Sequence, residues 1–146
     1  MKLLKCGVLF LCLCLTGCMT GRVKADLTNQ INVFGVELYS SVDYLEIDGV
    51  RGTDEPCLKG YERSFDQLEI TIGYGFDKKI RKITTRNPGT GIFGILPGMT
   101  AEAGKRQASQ AGLTEDSPYR YLGKDVSLTL LVDGNGKVFG ITVEEL

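Results

Sequence analysis

Val126-Ser127-Leu128-Thr129-Leu130-Leu131-Val132, Asp133-Gly134-Asn135-Gly136 and Lys137-Val138-Phe139-Gly140-Ile141-Thr142-Val143 together give the clearest strand-turn-strand signal in the chain. Val126, Leu128, Leu130 and Val132 alternate with Ser127 and Thr129, which places the apolar set on one face of a strand. The Asp-Gly and Asn-Gly pairs that follow are hairpin signals, because glycine and asparagine accept the positive φ that tight turns require. Val138 to Val143 is then the returning strand, and so short a turn permits only antiparallel pairing.

The pattern has a counterpart upstream. Leu68, Ile70, Ile72 and Tyr74 alternate with Glu69, Thr71 and Gly73, Asp77-Lys78 supplies a turn, and Ile80 to Thr85 returns. Setting Tyr61 to Arg86 against Tyr119 to Glu144, an offset of 58 residues, pairs Tyr61 with Tyr119, Thr71 with Thr129, Ile83 with Ile141 and Thr84 with Thr142. With one residue of slippage, Val33-Phe34-Gly35-Val36 lies over Ile92-Phe93-Gly94-Ile95. The register survives outside the strands, at the tyrosines and the Phe-Gly pairs, so an internal repeat with units of about 31–86 and 91–146 explains it better than coincident alternation.

A helix is expected ahead of each hairpin. For the second, Thr100 is a good N-cap, Glu102 suits the positive end of the helix dipole, and Gly112 suits the C-terminal cap. Its body, Ala101 to Ala111, carries no large apolar residue and includes Gly104, which predicts thin packing. The first helix is expected over Ser41 to about Asp48, with Val42, Tyr44 and Leu45 as a partial apolar face. The predicted fold class is α+β: an antiparallel sheet with helices on one face, built as a tandem repeat of two helix-plus-hairpin units.

Phe93-Gly94-Ile95-Leu96-Pro97-Gly98-Met99-Thr100, a helix ending Ala111-Gly112-Leu113, and a hairpin ending Gly136-Lys137-Val138-Phe139-Gly140-Ile141 carry a resemblance. Together they resemble the Gly-Met-Thr helix-hairpin pattern of small lipoproteins of the BamE (SmpA/OmlA) type and the wider group with a β-lactamase-inhibitor-protein-like fold. The resemblance covers residues 91–146, and 31–86 only through the repeat. It implies helices laid on one face of an antiparallel sheet, and a domain that binds other proteins and catalyses nothing. The chain departs from the pattern at Ala108 and Ser109, where larger apolar residues are usual, and at Tyr39 and Ser40, which stand in place of Gly98 and Met99.

The N-terminus gives an address. Lys2 and Lys5 flank an apolar run from Cys6 to Leu15, and Leu15-Thr16-Gly17-Cys18 follows. A spanning helix needs about 20 apolar residues, and Gly21, Arg22 and Lys24 come too soon, so residues 1–17 read as a signal peptide. Their end resembles the lipobox of bacterial lipoproteins, which implies a diacylglyceryl thioether on Cys18, with a further acyl chain such as palmitate on its amine. Residues 18–30 then form a lipidated polar tether and 31–146 a single domain. The expected location is the extracytoplasmic side of the cell envelope: the outer membrane in a Gram-negative cell, since Met19 is not the aspartate that retains lipoproteins at the inner membrane, or the cell membrane in a Gram-positive one.

Removing the signal leaves 15 of 17 basic residues against 18 acidic ones, a formal charge of −3. No basic face for nucleic acid is expected. Cys57 is the one cysteine beyond Cys18, so no disulfide forms within the domain; it reads as a buried apolar residue, with a free thiol or an intermolecular bridge as alternatives.

Catalytic signals are thin. The chain has no histidine, which removes most nucleophile-base pairs and most zinc sites. Asp133, Asn135 and Glu144 fall at calcium-loop spacing, but Lys137 and Val138 occupy positions that need an acceptor and glycine, so a plain turn is expected. Asp43, Glu46, Asp48, Asp54 and Glu55 form an acidic cluster that reads as a solvated face. No catalytic residue, metal site or cofactor is assigned. Two functions follow: a lipid-tethered, non-catalytic module presenting its sheet face or the loop around Asp48 to Gly60 to another envelope protein or to peptidoglycan, or an envelope enzyme that works with carboxylates or tyrosines. The first is preferred. Tyr39 and Tyr121 are expected to make the contact, with Tyr61 and Tyr119 completing the core, because tyrosine joins a large apolar ring to a polar tip.

Overall fold

A computed structural model of the chain describes residues 30–146. The expected α+β architecture is overturned. The described residues are mostly β: one eight-stranded antiparallel sheet, two small two-stranded sheets and a single α-helix.

The strands are β1 (Ile31–Asn32), β2 (Glu46–Ile47), β3 (Val50–Arg51), β4 (Thr53–Cys57), β5 (Gly60–Phe65), β6 (Ile70–Gly75), β7 (Ile80–Thr85), β8 (Gly91–Ile92), β9 (Thr114–Ser117), β10 (Arg120–Leu122), β11 (Val126–Val132) and β12 (Val138–Glu145). The helix, α1, is Ala101–Gln110. The large sheet runs β4-β5-β6-β7-β12-β11-β10-β9. Each half is a four-stranded meander, and the halves join edge to edge through β7 and β12.

That order reads the same outward from its centre. Thr84 and Thr142, partners in the sequence repeat, sit directly opposite one another on β7 and β12 with their hydroxyl oxygens 2.9 Å apart. The turns repeat too. Phe34 and Gly35 take φ of 52° and 71°, Phe93 and Gly94 take 54° and 74°, and β1 pairs with β8 beside them. The backbone of Tyr39 and Ser40 brackets Ile80 as Gly98 and Met99 bracket Val138: Tyr39 donates to the Ile80 carbonyl and Gly98 to that of Val138.

Residues 41–48 form no helix, and there the halves part. Asp48 and Gly49 both take positive φ, 47° and 78°, between Ile47 and Val50. That is the backbone of a tight hairpin turn, and it closes β2 on β3. Val42 and Leu45, expected to face the core, are 51 % and 58 % exposed. Leu68 also leaves the strand assigned to it: it ends a 3-10 turn, Asp66–Leu68, which the left-handed Glu69 closes.

The second-half helix forms. Thr100 accepts from the Ala103 N–H at 3.2 Å, and the Leu113 N–H returns to the Ala108 carbonyl. Its small residues allow close approach to the sheet: a Cβ on Gly104 would lie 2.9 Å from Leu130 Cδ1. The core lies between this inner face of the sheet and the helix, β1, β8 and the first-half loops, with Phe65, Ile72, Ile83, Leu128 and Ile141 fully buried. Both sheet edges are blunted, β4 by Asp54, Glu55 and Pro56 and β9 by Glu115 and Asp116, which disfavours pairing with another chain. No helix among the described residues is long and apolar enough to cross a membrane.

Candidate functional site

The outer face of the eight-stranded sheet is a continuous polar surface. Alternation sends Ile70, Ile72 and Tyr74 of β6 inward and Thr71 and Gly73 outward, and β5 and β10 sort the same way, whereas the edge strands β4 and β9 are exposed throughout. Strand register then lines up one residue from each of eight strands: Thr53, Ser64, Thr71, Thr84, Thr142, Thr129, Arg120 and Ser117. Seven of these eight carry hydroxyls, and cross-strand partners bond in two places, Ser64 with Thr71 at 3.3 Å and Thr84 with Thr142. β-branched threonine suits such a half-open face, since it packs against its neighbours and still offers a donor and acceptors.

The next row is charged. Glu55, Glu62, Gly73, Lys82, Glu144 and Ser127 follow one another across six strands. Lys82 crosses Gly73 to pair with Glu62, and the Ser127 hydroxyl lies 3.4 Å from Glu144. Beyond it Arg81 holds both Asp77 and Glu145. Gly73 and Gly75 floor a groove of about 750 Å³ here, rimmed by Leu58, Phe76 and Leu146. A Cβ on Gly75 would come within 2.8 Å of the Asp77 carboxylate, which would have to swing aside.

The tyrosines divide differently from the expectation. Tyr39 is 36 % exposed, and its hydroxyl donates to the Asp125 carbonyl at 2.9 Å. Burial, then the Glu145 and Asp125 carboxylates, pushes its pKa up, so it stays a neutral donor. Tyr121 is a correction: at 1 % exposure it is a core residue under α1 and has no surface to offer a partner. Its inward position on β10 puts it between β9 and β11, both of which the helix packs against. Tyr119, expected in the core, is 44 % exposed, while Tyr61 stacks on Tyr74 with ring centroids 4.7 Å apart. Cys57 is a second correction. It lies exposed on edge strand β4 next to the turn.

Two of the five residues of the acidic cluster, Asp43 and Asp54, are bound by a residue that the sequence did not single out. Arg63 faces inward from β5 and is 4 % exposed. It pairs with Asp43 and Asp54, the latter also through Nη2 at 2.8 Å, and its Nη1 donates to the Tyr44 carbonyl at 2.9 Å. The guanidinium carbon lies 5.5 Å from the ring centroids of both Tyr61 and Tyr74. The Asp54 carboxyl is held below its ordinary range, foremost by the hydrogen bond from Arg63, and the arginine's own pKa is raised above an already high value. These groups hold the first-half loop to the sheet. An inward arginine on a strand carries no local signal; only the offset of 58, which sets Arg63 against buried Tyr121, marks the position.

Among the described residues no group of three or more cysteine, aspartate or glutamate side chains is placed to hold a metal ion. Asp133 is an ordinary turn residue, its Oδ1 accepting from the Asn135 and Lys137 N–H groups at 2.8 and 2.9 Å. Cys18 lies outside the described residues. No family model, curated protein or solved structure matches the chain, and nothing in these comparisons identifies a BamE-type domain.

Proposed function

We propose that this chain is a bacterial lipoprotein, anchored in the cell envelope through lipid on Cys18, whose domain binds another envelope protein through the outer face of its sheet and catalyses no reaction. The observation that carries the binding half is the open row of hydroxyls from Thr53 to Ser117, flanked by the Glu62–Lys82 pair and covered by no described helix or loop. An antiparallel sheet can leave one face to water, but a face eight strands wide that is lined with paired donors and acceptors also offers fixed geometry to a polar partner. The lipobox-like Leu15-Thr16-Gly17-Cys18 supports the anchor. No observation favours the carboxylate-enzyme alternative: the shifted carboxylates, Asp54 and Asp77, are pulled down by Arg63 and Arg81, whereas a general acid needs its pKa raised.

Cross-linking and capture of the lipidated protein from intact cells tests both halves. The wild type is expected to retain a discrete partner and T84R/T142R, which plants two long cations on the centre of the face, to lose it by an order of magnitude while still folded at the assay temperature, with Tm lowered by a few degrees because the two cations stand directly opposite one another. C18S is expected to lose lipid label and membrane retention, because the thioether supplies the acyl chains. Equal capture by T84R/T142R overturns the binding face; salt-resistant retention of cleaved C18S overturns the anchor.

A further inference from the structure

We propose that the Leu58 and Phe76 hairpin tips insert into the interface of the same bilayer that carries the Cys18 lipid, so that the sheet stands on the membrane at one end. This rests on the anchor reading above and adds an orientation to it.

The repeat supplies an internal control. The β4–β5 and β6–β7 turns lie at the same end of the sheet, since Cys57 pairs with Gly60 and Gly60 with Gly75. The corresponding β9–β10 and β11–β12 turns lie at the opposite end. At the offset of 58, Leu58 corresponds to Asp116 and Phe76 to Gly134. Both ends reverse the chain, so chain reversal does not require the leucine or the phenylalanine. Yet Leu58 is 98 % exposed and Phe76 82 %, with Leu146 beside them at 60 %. The exposed aromatics at the other end, Phe139 at 46 % and Tyr119 at 44 %, are about half as open as Leu58 and Phe76, and Phe139 has the Arg86 guanidinium 6.0 Å from its ring centroid. An apolar cluster on one of two equivalent ends marks an interaction surface.

Charge selects the occupant. Lys59, Lys78 and Lys79 sit in these two turns, exposed, and none forms an ion pair with a described residue. Of the acids that line the groove beside them, Asp77 and Glu145 are engaged by Arg81 and Glu62 by Lys82, while Glu144 meets the Ser127 hydroxyl. Apolar groups at the tips with unpaired lysines flanking them match an anionic bilayer interface, where apolar side chains enter the acyl boundary and the long lysine stems carry their ammonium groups back to the phosphates. Reach is no obstacle. Met19 to Gln30 spans up to about 40 Å when extended, and a six-residue strand is only about 20 Å long.

The chain contains no tryptophan, so F76W places a single fluorophore at the tip. The full lipidated protein is reconstituted into phosphatidylcholine vesicles containing one third phosphatidylglycerol, with and without brominated acyl chains. F76W and L58W are expected to emit further to the blue and to be quenched at least twofold more strongly by brominated lipid than F139W at the other end. Adding K59E/K78E/K79E to F76W is expected to bring its quenching down to the F139W level. A chain retained on vesicles whose F76W emission is no more quenched than that of F139W overturns this proposal and leaves the anchor reading standing. A chain that floats free overturns both. A blue shift that grows with protein concentration and is insensitive to bromine assigns the tips to a second copy, and photo-cross-linking from position 76 to another protein assigns them to a protein partner; either outcome overturns the lipid assignment.

Discussion

Replacing Arg63 with alanine tests the claim that a guanidinium does for the first half what a helix does for the second. The variant strips a donor from the part-buried Tyr44 carbonyl, which costs about 1–3 kcal/mol when an acceptor is left unpaired. It also removes the cation from between Tyr61 and Tyr74, a contribution of about 0.5–2 kcal/mol depending on desolvation. Breaking a fully buried ion pair costs about 3–5 kcal/mol, but Asp43 and Asp54 are 55 % and 51 % exposed and return to water once released. The losses overlap, so R63A is expected to lose about 2–4 kcal/mol at neutral pH. For a domain of this size that is a fall in Tm of about 8–16 °C.

The pH dependence separates charge from packing. A carboxylate whose folded pKa is depressed contributes stability that is fully present above its unfolded value and is lost as pH falls through the folded one. Asp54 is depressed from 3.8, with the Arg63 hydrogen bond as the largest cause. The gap between wild type and R63A should therefore hold from neutral pH down to about 4 and narrow below it. R63M, which keeps the apolar stem and discards the charge, should fall between the two. Urea unfolding of the mature chain in mild detergent, followed by far-ultraviolet circular dichroism at several pH values, gives these differences directly. A loss below about 0.5 kcal/mol for R63A, the range of ordinary surface changes, would refute the clamp. So would a gap that does not narrow in acid.

Two further substitutions test particular packing claims. Gly60 has φ 149° and a Cβ there would lie 2.1 Å from the Tyr74 carbonyl oxygen, so G60A must open the β5–β6 pairing; a loss of about 3 kcal/mol or more is expected, with amide exchange speeding up first in those strands. Y121A should lose about 3–5 kcal/mol, as for other large core aromatics; a loss within 0.5 kcal/mol would return Tyr121 to the surface, where the sequence had suggested it.

The hairpins β6–β7 and β11–β12 were legible because one of their faces is buried and the other is not, which writes a period of two into the sequence. The strands outside them were not. β4 reads Thr-Asp-Glu-Pro-Cys and β9 reads Thr-Glu-Asp-Ser, with every residue exposed, so nothing alternates. β5 does alternate, but one of its inward positions is Arg63. The false helix over 41–48 arose from Val42, Tyr44 and Leu45 at helix-like spacing, while the decisive residues were Asp48-Gly49, an Asp-Gly pair of the same sequence type as Asp133-Gly134. Thr100 and Gly112 did mark the real helix, since capping chemistry is local. For the outer face, alternation showed which residues point outward, but not that Ser64, Thr71, Thr84, Thr142 and Thr129 form one row, because register across β7 and β12 depends on contacts far apart in sequence.

Sequence repetition conceals replacement. Both halves must cover the inner face of four strands, and at one equivalent place the second half puts Tyr121 beneath α1 while the first puts Arg63 beneath a loop. The apolar solution needs a helix with Gly104 and Ala108 at the contact, so that the backbone comes close enough to exclude water. The polar solution needs partners for every guanidinium N–H it buries, and a loop supplies them more flexibly than a helix: two carboxylates and a carbonyl from residues 43, 44 and 54. Ten residues of the second half are therefore committed to α1, whereas the first half closes the same gap with a short hairpin and an ion-paired loop. Because the meander itself is complete without either cover, the two ends of the molecule were free to diverge, which is how Leu58 and Phe76 can stand at one end while Asp116 and Gly134 stand at the other.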